Sequence, residues 1–131
     1  MADMMQFDLV SPEKRLASFE ASEVSFPGAE GNMTAMAGHM PVLTTLRPGT
    51  VRVVGADGAT EYVVTHGFVE VTADSVSVIA EKAFAREGVS REELQGVLEE
   101  ARSKAAEAEP EHRDAAEKFV ADLVHLIDNM D

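Results

Sequence analysis

Cysteine is missing from the 131 residues. Disulfides, thiolate zinc sites and cysteine nucleophiles are therefore excluded together. Basic residues are scarce: 11 Lys and Arg stand against 24 Asp and Glu, a formal net charge of −13. Binding phosphate backbones or anionic lipid heads requires clustered Lys and Arg to displace counterions, so nucleic acid is not an expected partner. No stretch approaches the ~20 apolar residues of a membrane span. The opening Met1-Ala2-Asp3-Met4-Met5-Gln6 lacks the basic start and apolar run of a signal peptide, which leaves a cytoplasmic protein, not itself inserted in a membrane, as the default expectation. What is present is a globular composition. Hydrophobic residues make up 45% of the chain, and a chain of this length can bury roughly two thirds of its unfolded surface.

The hydrophobic pattern has two periods. Up to about residue 84 it alternates, as half-buried strands require: Phe7 and Leu9 against Gln6 and Asp8, Val24 and Phe26 against Glu23 and Ser25, Val51 and Val53 around Arg52. Gly55-Ala56-Asp57-Gly58 separates Val51-Arg52-Val53-Val54 from Tyr62-Val63-Val64, which predicts a hairpin because Gly and Asp tolerate the positive φ of tight turns. A second hairpin is predicted between Phe68-Val69-Glu70-Val71 and Val76-Ser77-Val78-Ile79, turning through Ala73-Asp74-Ser75. Strands at this spacing predict a small antiparallel sandwich or barrel.

After Arg86-Glu87-Gly88 the period becomes helical. Ser90 followed by Glu93 is a capping-box signature, in which a hydroxyl and a carboxylate each accept an orphaned backbone N–H at a helix start. Leu94, Val97, Leu98, Ala101 and Ala105 then recur at three- and four-residue steps, with Gly96 as the weak point. Pro110 suits the first turn of a new helix and would break the interior of the preceding one, so it marks an interhelical turn. Ala116, Phe119, Val120, Leu123, Val124 and Ile127 form a second apolar stripe. The fold class is therefore α+β, an amino-terminal antiparallel β-sandwich or barrel over residues 1–86 followed by an antiparallel two-helix hairpin over 87–131, and the family resemblance given below selects the β-sandwich. The expected hairpin seam joins Leu94, Leu98 and Ala101 to Phe119, Leu123 and Ile127. The thin, Ala-rich first stripe makes each helix depend on the other.

No catalytic constellation is recognisable. There is no Gly-Lys pair for a P-loop, no His-Glu-x-x-His helix and no Gly-x-Ser-x-Gly elbow, and the acids are too scattered to single out one pair. No metal site and no cofactor are expected. His125, within helical reach of Asp122 and Asp128, is read as solvated helix surface, and so is His112 beside Glu111. His66 belongs to a strand-entry turn. His39, between Gly38 and Met40-Pro41, lies in a rigid loop where its ring could contact a partner or satisfy the local backbone. Met33, Met36 and Met40 form a soft apolar cluster around that loop, for which core filling is the expectation.

Gly38-His39-Met40-Pro41-Val42-Leu43-Thr44-Thr45-Leu46-Arg47-Pro48-Gly49 resembles the Gly-His-x-Pro-Leu-Leu-Thr-x-Leu-x-Pro-Gly run of the epsilon subunits of bacterial F-type ATP synthases, the counterparts of mitochondrial delta. Gly67-Phe68-Val69-Glu70-Val71, Val76-Ser77-Val78-Ile79-Ala80-Glu81 and the amino-terminal Phe7-Asp8-Leu9-Val10-Ser11-Pro12 are similar to that family as well. The resemblance implies a non-catalytic rotor component. In this picture a sandwich is clamped to the gamma subunit and rests on the c-ring at the cytoplasmic face of the bacterial inner membrane, and a hairpin can reach the alpha/beta catalytic head. By family position the loop from Glu30 to Val42 would face gamma and the c-ring, with Glu30, Gly31, Asn32, Met33, Gly38, His39, Met40, Pro41 and Val42 as contact candidates.

The chain also departs from the family pattern. Asn32-Met33-Thr34 follows Gly31 where an acidic residue and a second glycine are frequent, so the resemblance does not supply a charged c-ring contact there. His66 stands where a glycine is common. Val89-Ser90-Arg91-Glu92-Glu93-Leu94 lacks the Ile/Leu-Asp-x-x-Arg-Ala run of ATP-sensing members, which predicts weak or no ATP binding. The second helix offers mainly Arg113 and Lys118 and ends Asp128-Asn129-Met130-Asp131, a poor match for an acidic target, so weak inhibition of hydrolysis is expected. A different class of reading, a stand-alone sandwich that senses a small molecule and relays the change through its helices, predicts tight metabolite binding by the isolated chain.

Overall fold

The computed structural model describes residues 4–129. Met1 to Asp3 of the amino-terminal reading and Met130-Asp131 of the acidic end lie outside the described residues. The chain divides into two compact units, Met1–Glu87 and Gly88–Asp131.

Among the described residues the first unit contains nine strands: β1 (Met5–Val10), β2 (Arg15–Gly28), β3 (Gly31–Met36), β4 (Val42–Leu46), β5 (Gly49–Gly55), β6 (Gly58–Val64), β7 (Gly67–Val71), β8 (Ser75–Ala80) and β9 (Ala83–Ala85). Their pairing order is β1-β8-β7-β4-β2-β5-β6-β9, with β3 added to β2 and β1 also paired to β2. The 14-residue β2 belongs to both layers of the sandwich. Its first half pairs with β1, Phe7 opposite Phe19, and its second half pairs with β5 and β3, Val24 opposite Val53 and Ala35. The β2–β5 register slips between Ala21 and Glu23, and the Ser22 hydroxyl at the slip donates to the Val54 carbonyl at 3.2 Å. An extra residue of this kind bends a strand and increases its twist.

One pairing departs from the antiparallel expectation. β1 runs parallel to β8, Phe7 opposite Val76 and Leu9 opposite Val78. Alternation in single strands carries no information about strand direction, so only the closed sheet reveals it. The alternating residues fill the core: Phe7, Leu9, Val24, Val51, Val53, Val69, Val76 and Val78 are fully buried. The Phe7 ring meets Phe19 edge-on at 5.5 Å and Tyr62 at 6.1 Å. Burying a side chain such as Phe7 stabilises by about 1.5–3 kcal/mol.

Both predicted hairpins are present, the first with a tighter turn and the second with its turn shifted by one residue. Only Ala56 and Asp57 lie between the paired Gly55 and Gly58, the latter at φ 118°, where any side chain would be strained. Between β7 and β8 the turn is Thr72-Ala73-Asp74, and Ser75, expected in the turn, opens β8. Thr72 Oγ1 donates to Asp74 Oδ1 at 3.0 Å and its amide donates to the Ser75 carbonyl at 2.9 Å.

The second unit is a helical hairpin, α1 (Arg91–Glu107) and α2 (Pro110–Asp128), whose helices pack on each other. The capping box is formed. Ser90 Oγ accepts from the Glu93 amide at 3.1 Å, and Glu93 Oε1 accepts from the Ser90 amide at 3.4 Å. Pro110 occupies the first turn of α2, and Arg113 Nη2 donates to the Ala108 carbonyl at 3.2 Å, satisfying an acceptor at the end of α1.

Candidate functional site: interaction surfaces

The contact candidates from Glu30 to Val42 were expected in one loop. The structure places a strand there instead. β3 takes up Gly31–Met36 because Met33 and Ala35 alternate inward, Met33 packing against the core and Ala35 buried within it. Glu30 sits exposed in the tight turn before β3, beside Gly31 at φ 137°, and Asn32 is exposed early in the strand. Gly38, His39, Met40 and Pro41 lie in the loop beyond its other end, and Val42 starts β4 half-buried. The four residues Thr34 to Ala37 separate the two groups at about 3.4 Å each along the extended chain, so they form two patches.

The Gly38–Pro41 loop is held by its backbone. Gly38, at φ 87°, donates its amide to the Ala73 carbonyl at 2.7 Å, and the His39 amide donates to the Met36 carbonyl at 3.1 Å. His39 Nδ1 lies 2.6 Å from the Met40 carbonyl, so the ring satisfies local backbone. Core filling fails for two of the three methionines. Met33 is half-buried, but Met36 is 54% and Met40 77% exposed. The β2–β3 pairing puts Met36 opposite Glu23 on the outer side of the strand, and Met40 lies in the loop.

Three further exposed apolar residues, Leu43, Phe68 and Ile79, went unrecognised as surface residues in the sequence. The signal was available. Phe68 shares its parity with Glu70, and Ile79 shares its parity with Ser77, so each falls on the outward side of a strand whose other residues are buried.

In the hairpin, Leu94, Leu98 and Ala101 are buried with Ala105, and Leu123 and Ile127 are buried with Leu126, which the stripe had omitted. Phe119 is half-buried. The remaining histidines sit on the surface. His66 pairs with the Glu81 carboxylate at the joint of β7 and β8, His112 is 3.8 Å from Glu111, and His125 is exposed, with its carbonyl accepting from Asn129 Nδ2 at 2.7 Å. Among the described residues no three His, Asp or Glu side chains are grouped to hold a metal ion, and no helix is long and apolar enough to cross a membrane.

A β-sandwich and a helical hairpin, with apolar side chains displayed on strands and a loop held by backbone hydrogen bonds, have the surfaces of the class of proteins that bind other proteins. The comparisons agree with this class. Residues 4–86 match the family model of the ATP synthase delta/epsilon chain beta-sandwich domain. The ATP synthase epsilon chain 1 of Cereibacter sphaeroides is 52% identical over 126 residues, covering 96% of each chain, and the epsilon chain of Rhodobacter capsulatus has the same identity and coverage. The epsilon chain of Paracoccus denitrificans is 46% identical, covering 100% of this chain and 88% of its own. In the cryo-EM structure of the OSCP/F1/c-ring part of the Euglena gracilis mitochondrial ATP synthase, one chain superposes with a TM-score of 0.68 at 23% identity, over 95% of this chain and 78% of that one. The chain belongs to the ATP synthase delta/epsilon family, and it is a non-catalytic subunit of that complex.

Proposed function

We propose that this chain is a central-stalk subunit of a proton-translocating ATP synthase, coupling rotation of the c-ring through gamma to ATP synthesis. Its partners are gamma and the c-ring, met through the patches at Glu30–Met33 and Gly38–Val42. The complex holds it peripherally at the cytoplasmic face of the bacterial inner membrane. The observation that carries this reading is the 52% identity, over almost the whole of both chains, to proteins named as epsilon chains. The build of the sandwich supports it. Torque transmission needs a module that resists shear, and β2, hydrogen-bonded into both layers, supplies one continuous backbone across them.

The hairpin is the regulatory part in this reading, and its brake on hydrolysis is weak. The exposed side chains of α2 include Glu111, Asp114, Glu117 and Asp128, while Lys118 is engaged with Asp122 at 3.5 Å. Like charges at a contact with an acidic segment oppose docking. Two measurements test the function. Membranes stripped of this chain are expected to lose proton-driven ATP synthesis and to regain it on adding the chain back; synthesis that is indifferent to the chain overturns the coupling role. Deleting residues 87–131 from the reconstituted enzyme is expected to change ATP hydrolysis by less than about twofold, and a large activation refutes the weak-brake argument.

A further inference from the structure

The chain has no cysteine, so its seven methionines are its whole supply of oxidisable sulfur. The fold grades them. Met5 is 2% exposed in the core and Met33 is half-buried, whereas Met4 is 37%, Met36 54% and Met40 77% exposed. The two most open of these are neighbours. The His39 amide donates to the Met36 carbonyl at 3.1 Å, closing a turn that holds the Cα atoms of Met36 and His39 within about 7 Å, and Met40 comes next. The Gly38 amide ties this turn to the Ala73 carbonyl at 2.7 Å, and the His39 ring is occupied with the Met40 carbonyl at 2.6 Å. The backbone is thus fixed while both thioethers stay in solvent.

We propose that Met36 and Met40 form a reversible sulfoxidation site, modified by hydrogen peroxide in chains not yet assembled, and that the oxygens added there disable the Gly38–Val42 contact patch. The sulfur lone pair attacks one peroxide oxygen. The S–O bond forms as the O–O bond breaks, sulfur gives two electrons to the peroxide, and the other oxygen leaves as water. A flexible apolar side chain becomes a polar one carrying a strong acceptor. Covered by a partner surface without a donor to meet it, that oxygen loses its hydration and gains nothing in return. Met5 is shielded within the sandwich and Met33 packs against its core, so the surface changes while the fold stays intact. A methionine sulfoxide reductase reverses the step with a dithiol as reductant, giving back the thioether with a disulfide and water.

The inference rests on the central-stalk reading, in which assembly covers this patch and ends its exposure. The test uses the full chain and membranes stripped of it. The chain is treated briefly with dilute hydrogen peroxide, the added oxygens are assigned by peptide mass mapping, and circular dichroism verifies folding. Met40 and Met36 are expected to oxidise first, at least about tenfold faster than Met5. The treated chain is expected to rebind the membranes about tenfold or more weakly, and the reductase with dithiothreitol to restore its affinity. Met36→Leu/Met40→Leu keeps the apolar surface and removes the sulfur, so peroxide is expected to leave its binding unchanged. Oxidation of Met40 and Met36 no faster than that of Met5 overturns the site. Treated wild type that rebinds as well as untreated, a reductase that restores nothing, or an equal loss by the leucine variant overturns it too. Each of these results leaves the central-stalk reading standing, provided that untreated wild type rebinds and restores ATP synthesis. Untreated wild type that fails to rebind overturns both.

Discussion

Gly67 is the position where one added carbon does the most damage. A Cβ there would fall 1.9 Å from the Ile79 carbonyl oxygen and 2.9 Å from the Ala80 Cα. Carbon and carbonyl oxygen rest at about 3.3 Å or more, so β7 and β8 would have to part by over 1 Å at this point. The obstacle is backbone, which cannot rotate aside as a side chain can. Gly67 is paired on both edges, to Leu46 and to Ala80, and the Glu81 amide donates to the His66 carbonyl at 2.9 Å beside it. Overpacking of this kind costs about 1–3 kcal/mol, and opening one or two ladder hydrogen bonds adds about 1 kcal/mol each. Gly67→Ala is therefore expected to lose about 2–5 kcal/mol, a large share of the ~5–15 kcal/mol that holds a typical domain together. At about 4–8 °C per kcal/mol, the midpoint of thermal unfolding should drop by about 8 °C or more. The chain has no tryptophan and one tyrosine, and that tyrosine, Tyr62, is buried in the sandwich. Its emission reports the sandwich alone, while ellipticity at ~222 nm is dominated by the helices. The matched control is Gly96→Ala in α1, where nothing lies within 4 Å of the added carbon and a gain of about 0.5–1 kcal/mol is expected. A Gly67→Ala variant within ~0.5 kcal/mol of wild type would refute the steric reasoning.

Leu123 is fully buried in the hairpin, so Leu123→Ala should cost about 2–5 kcal/mol, melting the helical ellipticity early while the Tyr62 signal keeps its wild-type midpoint; coincident loss of both signals contradicts two separately packed units. Burial raises the Tyr62 phenol above its ordinary value of 10.0. The neutral phenol is thus favoured in the folded state, and its contribution is fully present below pH 10.0 and is lost as the pH rises through the folded value. Urea midpoints should accordingly fall more steeply for wild type than for Tyr62→Phe as the pH rises above 10.0, and parallel pH profiles would rule the effect out.

The elements with a regular period were readable from residues alone. Alternation located β1, β5 and the second half of β2, the hairpin turns with their apolar arms located β6, β7 and β8, and the Ser90–Glu93 pair located the start of α1 within a residue. The segment from Gly31 to Leu46 was harder because its strands are short and their apolar positions are broken by polar ones, Thr34 in β3, Thr44 and Thr45 in β4. Their alternation, such as Met33 and Ala35 in β3, is too short to stand out by itself, and pairing to β2 and β7 completes them. The brief β9 is likewise held by pairing to Tyr62–Val64. The interaction surfaces were half legible. A family motif drew attention to Gly38–Val42, but the placement of Phe68 beside Ile79 needed strand register, because which side chains stand abreast depends on pairings between separate segments.

The parallel seam between β1 and β8 also governs how the polypeptide is made. Phe7 emerges from the ribosome early, and Val76, which must lie beside it, is translated about 70 residues later, roughly 4–14 s at ~5–20 residues per second. Through that interval β2 can zip to one side of the first strand while its other side stays open, a sticky ribbon on every nascent copy. Gln6 and Asp8 are the polar residues of that ribbon, and polar and charged side chains on an open edge oppose pairing between newborn chains.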